Sequence, residues 1–119
     1  MEPSRLHELN KLAGEFCGKK LTGQFSHGGE RWVYASYEDE CTMQYTQWNP
    51  SENHEQAAEV KATLREKGYG YAIGFDKNRG VYGAMLYPPK GMMVAIFSDE
   101  SELIALLLAV EALTKKEPS

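Results

Sequence analysis

Ser98-Asp99-Glu100-Ser101-Glu102-Leu103-Ile104-Ala105-Leu106-Leu107-Leu108-Ala109-Val110-Glu111-Ala112-Leu113-Thr114-Lys115-Lys116 is the stretch on which the fold turns. Between Leu103 and Leu113 its only polar residue is Glu111. A surface helix shows one apolar stripe, so a helix apolar on nearly every side must be covered on more than one. Its ends are marked. Ser98 reads as the N-cap, acids fill the first turn, and Lys115 and Lys116 sit at the C-terminus, each matching the helix dipole. The cover is either a sheet plus a second helix or a sheet plus a second copy of the chain. A sheet hides about half of the cylinder through a set such as Leu103, Leu107 and Val110, which leaves Leu106 and Leu113 to the other cover. Two-fold dimers are the commonest oligomers, so a homodimer through Leu106 is expected.

Upstream of this helix the period is that of strands. Met92–Phe97 runs into it, preceded by Pro88-Pro89-Lys90-Gly91, by Val81–Tyr87 and by the turn Asp76-Lys77-Asn78-Arg79-Gly80. Strand Tyr69–Phe75 alternates: Tyr69, Tyr71, Ile73 and Phe75 face one way, Gly70, Ala72 and Gly74 the other. The small face predicts a helix backbone in close approach there. Before it, Asn49 or Ser51 caps a helix running to Lys67, with Ala57, Val60 and Leu64 as its apolar stripe and Gly68 after it. Leu21–Phe25, Arg31–Tyr37 and Thr42–Trp48 are short segments rich in aromatic and β-branched residues, separated by Ser26-His27-Gly28-Gly29 and Glu38-Asp39-Glu40. Ser4 caps a first helix carrying Leu6, Leu9, Leu12, Ala13 and Phe16. The expectation is one α+β domain over residues 1–119, with an antiparallel sheet of about five strands and helices on both faces.

Composition sets bounds on function. The chain has 119 residues, 42% hydrophobic and 25% charged, the balance of a globular protein. Met1-Glu2-Pro3-Ser4-Arg5 opens no secretory signal, and the apolar run of the last helix is about half of a membrane span, so the host cytosol is expected and a membrane is not. Net charge is −4, and residues 1–60 hold five Lys/Arg against ten Asp/Glu while residues 61–119 hold eight against seven. An acidic half-chain repels phosphate backbones, which makes nucleic acid a poor partner. From Ser51 to Lys116 the order α-β-β-β-α matches a double-stranded RNA-binding domain. Those domains need Lys or Arg at the start of the second helix, where this chain has Asp99-Glu100-x-Glu102.

No constellation points to catalysis or to a cofactor. Cys41 follows Glu38-Asp39-Glu40, whose charge raises a thiol pKa, and Cys17 lies near a helix C-terminus, where the dipole is also unfavourable. His7, His27, His54, Cys17 and Cys41 are scattered singly, without the paired spacing of a zinc site. Asp76-x-Asn78-x-Gly80 lacks the Gly and Glu that a calcium loop needs, since Val81 and Tyr87 occupy those positions. The glycine-rich run from Gly68 to Gly74 follows a helix instead of leading into one, and His27-Gly28-Gly29 has no Gly-x-Ser-x-Gly partner. What remains is aromatic. Trp32, Tyr69, Tyr71 and Tyr82, with Leu106, are the candidates for a partner surface, where Tyr and Trp are favoured.

Three stretches carry a resemblance. Leu6 to Gly18 resembles the opening helix of the small phage and prophage proteins of the phage ABA sandwich domain family. Trp48-Asn49-Pro50-Ser51, the Ala57-Ala58 helix and Lys67-Gly68-Tyr69 fall where that family has its capped middle helix, and Ser98–Leu113 falls where it ends. The resemblance implies an α/β/α sandwich, a phage or prophage origin and no transferable catalytic residue. Together these readings lead to a non-enzymatic interaction protein that binds a host protein, as an inhibitor of a defence factor or nuclease. A nucleic-acid or nucleotide-binding module is the alternative, and no cofactor is expected.

Overall fold

A computed structural model describes residues 1–26, 29–37 and 42–116. The turns at His27-Gly28 and Glu38-Asp39-Glu40, and Cys41, lie outside the described residues. The chain is α+β: α1 (Pro3–Phe16), β1 (Thr22–Ser26), β2 (Gly29–Tyr37), β3 (Met43–Trp48), α2 (His54–Glu66), β4 (Gly70–Asp76), β5 (Val81–Tyr87), β6 (Val94–Ser98) and α3 (Glu102–Lys116). The single five-stranded sheet is corrected. Six strands among the described residues form two antiparallel three-stranded sheets, β1-β2-β3 and β4-β5-β6. Each strand pairs with its neighbour in sequence, and α2 with its flanking turns separates the two meanders.

Helix α3 is buried as its composition demands. Ala105, Leu106, Leu107, Ala109 and Val110 are fully buried, and Leu113 nearly so. The helix packs on β4, β5 and β6 and against α1. The cover is therefore internal, and Leu106 is withdrawn as a surface for a second copy. It joins Leu9 and Ala13 of α1 and Ala57, Val60 and Leu64 of α2 in one core, with Trp48 of β3 and Ala84, Leu86 and Val94 from the sheet. Glu111, the one polar residue in the run, is buried and meets the Arg5 guanidinium through two hydrogen bonds from α1.

The sheet under α3 presents the opposite face to the one the small residues suggested. Register places Tyr71, Ile73, Tyr82, Ala84, Leu86, Val94 and Ile96 together, and these are the residues packed into or against the core. The other face carries Ala72, Gly74, Gly83, Met85, Ala95 and Phe97. A Cβ built on Gly74 has nothing within 4 Å, so no described helix lies over it. Burying Tyr71 and Ile73 removes far more apolar area from water than burying Ala72 and Gly74, and area decides which face turns inward. For this sheet the α/β/α sandwich with helices on both faces is thus corrected as well.

The caps also differ from expectation. α1 begins at Pro3 behind Glu2, without a side-chain cap, instead of being capped by Ser4. The Asn49–Asn53 segment forms a turn, and Asn53 caps α2 by accepting from Gln56 N at 3.0 Å. Ser101, not Ser98, caps α3, its Oγ accepting from Ile104 N at 3.0 Å. Ser98 still belongs to β6, paired with Tyr82.

Candidate partner-binding cleft

The helix α1 is held to the β1–β3 sheet by polar contacts between its backbone and two tryptophans. Trp48 Nε1 donates to the Asn10 carbonyl at 2.8 Å, and Trp32 Nε1 donates to the His7 carbonyl at 2.9 Å. Gly14 makes this approach possible, because a Cβ there would lie 2.8 Å from Trp48 Nε1 and 2.5 Å from Leu21 Cδ1. The buried Asn10 side chain ties the helix to the turn after β3. Its Oδ1 accepts from Ser51 N at 3.1 Å, and its Nδ2 donates to Ser51 Oγ at 3.1 Å and to Asn49 Oδ1 at 3.4 Å. Asn49-Pro50-Ser51 is thus a docking turn rather than a helix cap.

Between these elements lies a cleft of about 490 Å³. Pro3, Leu6, His7 and Asn10 form one wall, Glu30, Arg31 and Trp32 of β2 another, and Gln47, Trp48, Asn49 and Glu52 close it. The His7 ring stacks on Trp32, centroids 4.3 Å apart and planes within 10°. His7 Nε2 is 3.5 Å from a Glu30 carboxylate oxygen and, among the described residues, makes no hydrogen bond. Arg31 donates to Gln47 Oε1 at 3.2 Å, and Asn49 Nδ2 donates to Glu52 at 3.1 Å. Lys11 sits 5.3 Å from the Trp32 ring centroid. The anchors are consequently rigid: Trp32 is fixed by a hydrogen bond, a stack and a cation. Glu30 and Glu52 are exposed at the mouth.

The five sequence candidates separate. Trp32 lines the cleft, and Leu106 is buried. Tyr71 and Tyr82 are half-buried on the face under α3, the Tyr71 hydroxyl accepting from Arg65 at 2.5 Å and the Tyr82 ring lying 5.0 Å from Phe75. Tyr69 is half-buried against the core. The cleft brings together His7, Glu30, Gln47 and Glu52, of which the sequence reading names only His7, as one of the scattered histidines. They come from separate elements, and only the acidic bias of the first half-chain hinted at the carboxylates.

Cys17 is half-buried, and burial pushes its thiol pKa up, with the Thr63 hydroxyl 3.3 Å from Sγ working the other way. No group of three or more His, Cys, Asp or Glu among the described residues is placed to hold a metal ion. No described helix is long and apolar enough to cross a membrane. No protein-family model matches the chain, and no curated protein is similar to it.

Proposed function

We propose that this is a non-enzymatic interaction protein of phage or prophage origin that binds a basic, nucleic-acid-handling host protein in the cytosol and inhibits it. The cleft between α1 and β2 carries the reading. Its lining runs from Pro3 to Glu52 and so falls wholly within the acidic half of the chain. It joins a rigid Trp and an Arg, the residue types that dominate interface energetics, to a polar rim with exposed carboxylates at Glu30 and Glu52. A nuclease or defence factor that grips phosphate presents Lys and Arg, and that surface complements such a rim while a nucleic acid does not. Phage origin and a host target rest on the resemblance of three stretches of sequence.

The test is capture from bacterial lysate on the immobilised protein, with mass spectrometry of retained protein and of any bound nucleotide. A basic protein, released by salt and lost with Glu30→Lys/Glu52→Lys, is expected. Retention of RNA or nucleotide in its place, or equal protein capture by the double variant, would overturn the reading.

A further inference from the structure

The outer face of the β4–β6 sheet is a second surface, away from the cleft. We infer that it binds the same face of a second copy of this chain about a two-fold axis along β5. Register fixes a grid on this face, with Ala72, Met85 and Ala95 across one row and Gly74, Gly83 and Phe97 across the next. The grid is lopsided. Phe97 rises on the β6 side, its ring over Gly83, where an added Cβ would meet Phe97 atoms at 3.2 Å. On the β4 side, Gly74 is the floor of a depression of about 330 Å³.

A two-fold rotation about an axis in the interface along β5 exchanges left and right but keeps the row. Phe97 of each copy then lies over Gly74 of the other, Ala95 over Ala72, and Met85 meets its own counterpart on the axis. Knob meets hole twice, which is the self-complementarity that an isologous interface requires. Such packing matches the aligned geometry of two stacked sheets, about 10 Å apart.

Area supports this occupant. On this face Phe97 is 51% exposed, Tyr87 43% and Met93 47%. With about 150–250 Å² for a whole aromatic side chain, these residues and the small ones between them present roughly 350–500 Å². That is about half of the roughly 800 Å² per partner of a standard interface, the size of a weak, concentration-dependent dimer. A single helix, covering one strip, would leave either Phe97 or the Gly74 depression unmatched.

Sedimentation velocity from 1 µM to several hundred micromolar tests this, on roughly the concentration scale of ordinary protein association. Wild type is expected to dimerise, and Phe97→Glu to raise the dissociation constant at least tenfold with an unchanged circular dichroism spectrum. In a Cys17→Ser/Cys41→Ser background, Met85→Cys on the axis is bridged to itself by a short bismaleimide, whereas Thr22→Cys on the other sheet is not. A wild type that stays monomeric throughout overturns the inference, as does a dimer that survives Phe97→Glu or bridges through Thr22→Cys. Capture of a host partner that depends on Phe97 by a monomeric wild type assigns the face to that partner and overturns it too. None of these results bears on the cleft, since Glu30 and Glu52 lie outside this sheet.

Discussion

Glu111 shows how one residue explains a pattern that looks like an exception. A carboxylate in an otherwise apolar run costs desolvation, and the Arg5 hydrogen bonds offset it, with Lys115 3.7 Å away. The Arg5 hydrogen bond is the main reason the Glu111 pKa is lowered, against the upward push of burial. A depressed folded-state pKa adds stability that is full above the unfolded value of about 4.3 and is lost as pH falls through the lower folded value. Urea midpoints of wild type and Glu111→Gln should therefore differ at pH 7 and draw together as pH falls below the unfolded value and through the lower folded one. A difference constant across that range would place the contribution elsewhere. Two glycines give a paired test. Gly14→Ala pushes a Cβ against Trp48 and Leu21, and overpacking of about 1–3 kcal/mol outweighs the roughly 1 kcal/mol of helix propensity gained. Gly74→Ala meets nothing, so the unfolding midpoint at dilution should stay within about 0.5 kcal/mol of wild type.

At the scale of elements, most strands and both internal stripes were readable because alternation and helical spacing are local signals. Val81–Tyr87 was read to the residue, and Ala57, Val60 and Leu64 are buried as their spacing implied. Helix starts were harder, since Ser98 and Ser101 are equally good caps and only the pairing of Ser98 with Tyr82 keeps it in the strand. The helix expected over the small face of β4 is absent among the described residues, because glycine makes room for a helix without supplying the apolar area that holds one, and that area lies on the opposite face. The cover of α3 has two solutions from sequence, and α1 supplies it together with the sheet. Leu106→Glu, a sound monomerising change if the helix met a second copy, now puts an unpaired charge in the core. It should cost at least about 3 kcal/mol and unfold most of the protein in thermal melts. A folded, soluble Leu106→Glu variant would contradict internal burial.

For the whole molecule, two meanders share one helical core, and this was not legible because the assignment of strands to sheets depends on which edges meet across long sequence distances. The same non-locality hid the cleft: His7, Glu30 and Gln47 carry no mutual spacing signal and become neighbours only when α1 docks on two tryptophan N–H groups. The arrangement leaves two outward surfaces of different chemistry, an acidic-rimmed cleft and an apolar sheet face, for which a basic partner and a second copy are the proposed occupants. Hydrogen exchange with mass spectrometry on the captured complex tests the first most directly. Peptides covering residues 3–10, 30–32 and 47–52 should exchange more slowly in the complex than in the free protein, while those of the β1 strand stay unchanged. Unaltered exchange in those three segments, with protection appearing elsewhere, would contradict a partner bound in the cleft.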